Sequence, residues 1–155
     1  MLRSAILALK DGRRDVTEAL GERIAPFVRP GTLLIPVPTT ATRRRVRGMD
    51  GVALIASKAA DISGARVLAA LQQHAGDAQR GRTRNERLAA RGRFRCDAGA
   101  IAGKRITFVD DVCTTGATLE DCERAVAEAG GTVEGAVVVA ATKSSPSWRP
   151  APSEH

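Results

Sequence analysis

A chain of 155 residues that is 43% hydrophobic and 3% aromatic has room for one sizeable core, built from Ala, Val, Leu and Ile rather than from rings. It contains no Tyr, which argues against recognition of nucleic acid through several stacking platforms. Its formal charge of +7 is the balance of 24 basic against 17 acidic residues, and the basic ones concentrate in Arg43–Arg47 and again between Arg80 and Arg95, a pattern that suggests contact with phosphates, set against the plainer reading of two solvated faces.

The opening MLRSAILALKDGRRD has a brief apolar run cut by Lys10 and Asp11, with no cleavage pattern after it, and reads as an amphipathic helix of a cytoplasmic protein. From Ala5 to Phe27 the apolar positions Ile6, Leu9, Val16, Leu20, Ile24 and Phe27 recur near helical spacing, with Gly12 as a break. Arg29-Pro30-Gly31 turns the chain into a short buried strand, Leu33 to Val37, whose end opens into the loop TTATRRRVRGM. Val52, Ile55, Ala56 and Ala59 form one face of the next helix, and Arg66 to Leu71 is the next expected strand. Gln72 to Phe94, poor in apolar residues and rich in Arg and Gly, is long for a loop, a length usually tied to function or disorder. Ile106 to Val109 predicts a strand, Thr118 to Ala129 a helix and Val133 to Ala141 a strand. The tail SSPSWRPAPSEH is expected to be disordered with Trp148 its only anchor, which divides the chain into a domain over 1–143 and a tail over 144–155.

Strands alternating with helices imply an α/β fold, a mostly parallel twisted sheet with helices on both faces. In such sheets ligands bind beyond the C-terminal strand ends, where both the Arg loop and the Asp110-Asp111 pair fall. No apolar run approaches the ~20 residues a membrane span needs. Cys96, Cys113 and Cys122 are odd in number and form no C-x-x-C pair, so neither a disulfide framework nor a zinc site is indicated.

The densest chemistry lies in VDDVCTTGAT, Val109 to Thr118. The helix that follows is marked by an apolar stripe of Leu119, Cys122, Val126 and Ala129, by Glu120 four residues before Arg124, and by Gly130-Gly131 at its end. Its N-terminus therefore falls at Thr114, Thr115, Gly116, Ala117 and Thr118, where backbone N–H groups, the helix dipole and Thr hydroxyls suit a phosphate monoester. Gly116 admits close approach of the backbone. Two carboxylates beside such a cradle repel phosphate if they point at it, so Asp110 and Asp111 are expected to accept hydrogen bonds from vicinal hydroxyls of a sugar, for which neither needs to be protonated. The ligand implied is a ribose phosphate. The competing reading is a helix cap with acidic neighbours.

VDDVCTTGAT resembles the motif by which type I phosphoribosyltransferases bind phosphoribosyl pyrophosphate (PRPP). ILALKDGRRD, IPVPTTATRRRVRGMDGVALIA and GRFRC are similar to segments of the ComF-like branch, named for a competence protein of DNA uptake. The resemblance extends over nearly the whole chain, without the zinc-ribbon segment that often precedes the domain. It implies the type I phosphoribosyltransferase fold with a small hood, partly from the N-terminal helix, and ribose contacts from Asp110 and Asp111. It also implies a 5-phosphate turn at Thr114–Thr118 and Mg²⁺ held mainly through PRPP, with Asp110 and Asp111 reaching it through water. Arg45, Arg47 and Arg84 are the expected pyrophosphate contacts, and Arg47 and Arg87 the expected catalytic cations, neutralising the leaving group as C1 becomes oxocarbenium-like.

The segment Gln79 to Phe94 takes the place of the loop that covers PRPP in related transferases. Two departures, Met49-Asp50-Gly51 for Phe-Asn-Gln and Ala90 for Asn, bear on the second-substrate pocket more than on the PRPP site. The acceptor is unidentified, with a nitrogenous base as its class, and a homodimer is the assembly considered. The other function class is a non-catalytic PRPP-binding regulator or an accessory of DNA uptake, in which the basic segments would meet nucleic acid.

Overall fold

A computed structural model describes residues 14–38, 50–73, 92–141 and 148–150. Helix α1 spans Arg14–Ile24 and runs into a 3₁₀ turn, Ala25–Phe27, whose Pro26 costs nothing there because a first-turn N–H has no helical partner. Strand β1 is Leu33–Pro36, helix α2 Gly51–Ser63 and strand β2 Arg66–Val67. Leu71–Gln73 (β3) and Phe94–Cys96 (β4) make a separate antiparallel pair. The short helix α3, Ala98–Ile101, leads into strand β5, Arg105–Cys113, then helix α4, Ala117–Glu128, and strand β6, Thr132–Ala141.

Four strands pair in the order β2-β1-β5-β6, every neighbour parallel. The chain steps from β1 outward to β2 and later places β5 on the opposite flank of β1, so the strand order reverses between β1 and β5. Open α/β sheets bind ligands at such a reversal, outside the C-terminal strand ends. Here those ends are held level by Pro36 lying opposite Val109 and by the N–H of Val37 donating to the carbonyl of Val109 at 2.9 Å.

Strand alternation divides the core into two layers. Leu33, Ile35, Ile106 and Phe108 pack with Leu119, Cys122 and Val126 of α4 and with Leu71 and Phe94 of the small hairpin. Leu34 and Val109 face the other way, against Leu20 and Ile24 of α1 and Val52, Ile55, Ala56 and Ala59 of α2. Because β1 is covered on both faces, its run LLIP is apolar without alternation. The helices α1 and α2 meet closely at Gly21, where a Cβ would lie 2.6 Å from the Cβ of Lys58 and 2.9 Å from the carbonyl oxygen of Ile55.

The mostly parallel sheet between helices agrees with the sequence pattern, and four local features differ from it. The apolar stretch from Arg66 to Leu71 is two strands in two different sheets, parted at Leu68–Ala70. Phe94–Cys96 and Ala98–Ile101, which carry no periodic signal of their own, form β4 and α3 because Phe94 and Ile101 are drawn into the core. Strand β5 continues four residues beyond Val109, since β6 supplies ladder partners as far as Ala141 opposite Cys113. Arg124 pairs with Asp121 at 2.9 Å and Glu128 at 2.7 Å rather than with Glu120.

Candidate functional site

The site is assembled by one continuous stretch of chain. Strand β5 carries Asp110 and Asp111 just past the C-terminal end of β1 while still paired with β6, a turn over Thr114–Gly116 reverses direction, and α4 begins at Ala117. Gly116 occupies the N-cap position with φ +88, in the left-handed region open to glycine, and donates no side-chain cap. Thr115 Oγ1 accepts a long 3.4 Å bond from the N–H of Ala117, and the N–H of Glu120 donates to the carbonyl of Gly116 at 3.0 Å. The positive end of the helix dipole and its first N–H groups thus point over an exposed Thr114-Thr115 pair.

Beneath this turn lies a hollow of about 30 Å³ lined by Asp110, Val112 and every residue from Cys113 to Leu119. It is a cradle, open on one side, rather than an enclosed pocket. The structure therefore brings together Asp110 and the five predicted phosphate-turn residues Thr114, Thr115, Gly116, Ala117 and Thr118. Asp111 is half-buried next to Asp110 and does not line the hollow.

The two carboxyl groups are not equivalent. Asp110 is 8% exposed, and burial followed by the charge of Asp111 pushes it up to about 7, while the N–H of Asp111, donating to Asp110 Oδ1 at 2.8 Å, partly offsets the rise. A carboxyl so placed is partly protonated at neutral pH and can donate as well as accept, which adds to the acceptor role expected of both. Cys113 is buried in the same stretch, and burial and the Asp110 charge push its thiol up, so it lacks the thiolate character of a nucleophile.

Among the described residues no group of three His, Cys, Asp or Glu side chains is placed to hold a metal ion. Mg²⁺ keeps most of its waters and commonly needs only one or two carboxylates plus substrate phosphates, and the Asp110-Asp111 pair has the chemistry to fit such an ion. No helix of the described residues is long and apolar enough to cross a membrane.

Arg43, Arg44, Arg45 and Arg47, like Arg84, Arg87 and Arg91, lie outside the described residues. The return of that second basic segment is described, and α4 fixes it. Asp121 accepts from the N–H of Gly92 at 3.1 Å and of Arg93 at 3.0 Å, and Arg124 donates to the carbonyl of Phe94 at 3.1 Å. The helix that forms the turn thereby also anchors the hairpin carrying the predicted covering segment. Sequence reading missed Asp121, because an acidic residue one turn into an exposed helix face looks like solvation. It also missed how Trp148 is anchored: Nε1 donates to Glu123 Oε2 at 2.7 Å.

No family model matches the chain, and no curated protein matches it by sequence. Solved structures do. The chain is similar to glutamine phosphoribosylpyrophosphate (PRPP) amidotransferase from B. subtilis, with TM-score 0.56 and 18% identity over 84% of this chain and 26% of that one. It is similar to the allosteric regulatory enzyme of purine biosynthesis with TM-score 0.53, at the same identity and coverage. The chain thus spans about a quarter of the length of these two proteins. The fold is that of the type I phosphoribosyltransferases.

Proposed function

We propose that the protein binds PRPP with Mg²⁺ and transfers its phosphoribosyl group to a nitrogenous acceptor, releasing pyrophosphate. The observation that carries this reading is the N-terminus of α4, left without a side-chain cap over a Gly turn and set directly above Asp110 at the reversal of strand order. Backbone N–H groups at Thr114–Thr118 hold the 5-phosphate. Asp110 and Asp111 hold the ribose hydroxyls and keep C1 turned toward the β1 side of the cleft.

In the reaction the bond from C1 to the pyrophosphate oxygen breaks and a bond from C1 to the acceptor nitrogen forms, the acceptor's proton passing to solvent. Mg²⁺, when bound, neutralises charge on the pyrophosphate. Arg45, Arg47, Arg84 and Arg87 add positive charge to the leaving group, and Arg47 and Arg87 matter most for the rate. The same reading assigns the chain to the ComF-like branch, in the cytoplasm, with the transferase domain over 1–143 and a homodimer as its assembly.

Calorimetric titration with PRPP and Mg²⁺, followed by a screen of bases for pyrophosphate release, tests the proposal. Replacing both carboxylates, Asp110→Asn with Asp111→Asn, is expected to abolish PRPP binding in a folded protein, since each lost charge-assisted hydrogen bond is worth ~1.5–3 kcal/mol. Unchanged affinity in that double variant refutes the ribose assignment. Arg47→Ala and Arg87→Ala should weaken PRPP binding. If both leave it unchanged while DNA binds with a log–log salt slope of about −0.9 per phosphate on duplex, the nucleic-acid reading takes its place.

A further inference from the structure

Trp148 lies directly against the turn. A Cβ built on Gly116 would fall 2.5 Å from the Cβ of Trp148, 3.2 Å from its backbone nitrogen and 3.4 Å from its Cα, so the main chain at Trp148 takes the space a side chain at 116 would need. Trp148 is 8% exposed and belongs to the core layer of Cys113, Leu119 and Cys122. Its Nε1 donates to Glu123 on the second turn of α4. Trp148 does not line the hollow above Asp110; it borders an adjoining, largely apolar cavity of about 300 Å³ with Ala136 and Val138, the two sharing Cys113 and Leu119 as a wall. It therefore supports the turn from the side away from the cleft, touching both Gly116 and the helix that Gly116 begins.

We propose that Trp148 is a positioning residue of the phosphate turn. By closing the space behind Gly116 and tying itself to Glu123, it fixes the left-handed N-cap and the direction in which the first N–H groups of α4 point. A helix N-terminus binds an anion well only when those N–H groups converge, and Gly116 by itself has the widest conformational choice of any residue. The packing of Trp148 removes that choice before a ligand arrives, so less ordering is left to be done on binding. The ligand class, a phosphate monoester of a sugar, rests on the function proposed above; the positioning of the turn does not.

The test uses the full chain, with Trp148→Phe and Trp148→Ala, and two readouts. Amide exchange at Ala117 and Glu120, whose N–H groups bond to Thr115 and Gly116, should accelerate about tenfold or more in Trp148→Ala, while Ile106–Val109 of β5 keep their protection. Affinity for ribose 5-phosphate should fall in the order wild type, Trp148→Phe, Trp148→Ala, because Phe keeps most of the packing and loses only the bond to Glu123. Emission of Trp148, the single Trp of the chain, should change on that titration with the midpoint found by calorimetry. If Trp148→Ala does not fold, Trp148→Phe carries the same comparison. Lowered melting temperature with unchanged exchange at Ala117 and Glu120 overturns the proposal. Accelerated exchange in a protein whose wild type binds no ribose 5-phosphate upholds the positioning role and removes the phosphate reading.

Discussion

Helices α2 and α4 flank opposite faces of the same sheet, and their N-termini are finished in opposite ways. At α2 the carboxylate of Asp50 folds over the helix end and accepts from the N–H of Ala53 at 3.3 Å, so the protein supplies its own anion. At α4 the cap is a glycine with no acceptor, and the nearest buried carboxyl, Asp110, sits below the turn rather than on it. One helix end is closed by the side chain at its N-cap; at the other the N-cap is a glycine, and Thr115 Oγ1 accepts a long bond of 3.4 Å from the first N–H, that of Ala117. The contrast extends to the two aspartates, for Asp50 stabilises the element it caps, whereas Asp110 is held where ionisation is penalised. Asp50 and Gly51 of the sequence thus have a local explanation in the α2 cap.

The largest effect expected from this asymmetry is a gain. Burial beside Asp111 lets Asp110 keep its proton in the folded protein up to about pH 7, while in the unfolded chain it loses it near the ordinary carboxyl value of 3.8. Folding stability from this group is therefore full below about pH 4, falls as pH rises through the window to 7, and is gone above it. Asp110→Asn removes the penalty, so the variant should match the wild type near pH 4 and exceed it at pH 8 by on the order of 2–4 kcal/mol, read from urea unfolding at both values. A wild type that is equally stable at both ends of that window relative to Asp110→Asn would show that Asp110 is not the strained carboxyl described. A stabilised variant with lost PRPP affinity would be the trade of stability for function expected at such a site.

Next in size is Gly116→Ala. A left-handed L-residue costs ~1–2 kcal/mol, to which the encounter with Trp148 adds, so chemical denaturation should show a loss of about 2–3 kcal/mol. A neutral outcome would mean that the turn relaxes freely, and the contrast with the rigid α2 cap would disappear. The smallest is Asp50→Ala, which should cost ~1 kcal/mol through the lost cap and leave phosphate affinity at the α4 turn unaltered. Weakened binding in that variant would show that the two helix ends are coupled across the sheet.

The stretch VDDVCTTGAT announced the open helix end because the signal is local: a β-branched run, two carboxylates, a Gly and an amphipathic stripe all fall within one turn and one helix of each other. The alternation of strand and helix patterns was legible for the same reason, since period and punctuation are properties of neighbouring residues. What local pattern could not carry was decided by partners far along the chain. Strand β5 runs on to Cys113 because β6 reaches that far, and Phe94–Cys96, with the charged Arg95 at its centre, becomes β4 because Leu71–Gln73 lies across from it. Arg124 turns to Asp121 and to the carbonyl of Phe94 because a loop end 30 residues earlier arrives beside it. The unequal carboxyls of Asp110 and Asp111 and the seat of Trp148 behind Gly116 are likewise tertiary outcomes. Desolvation and close packing depend on what surrounds a residue in space, and sequence states only its chemistry and its nearest neighbours.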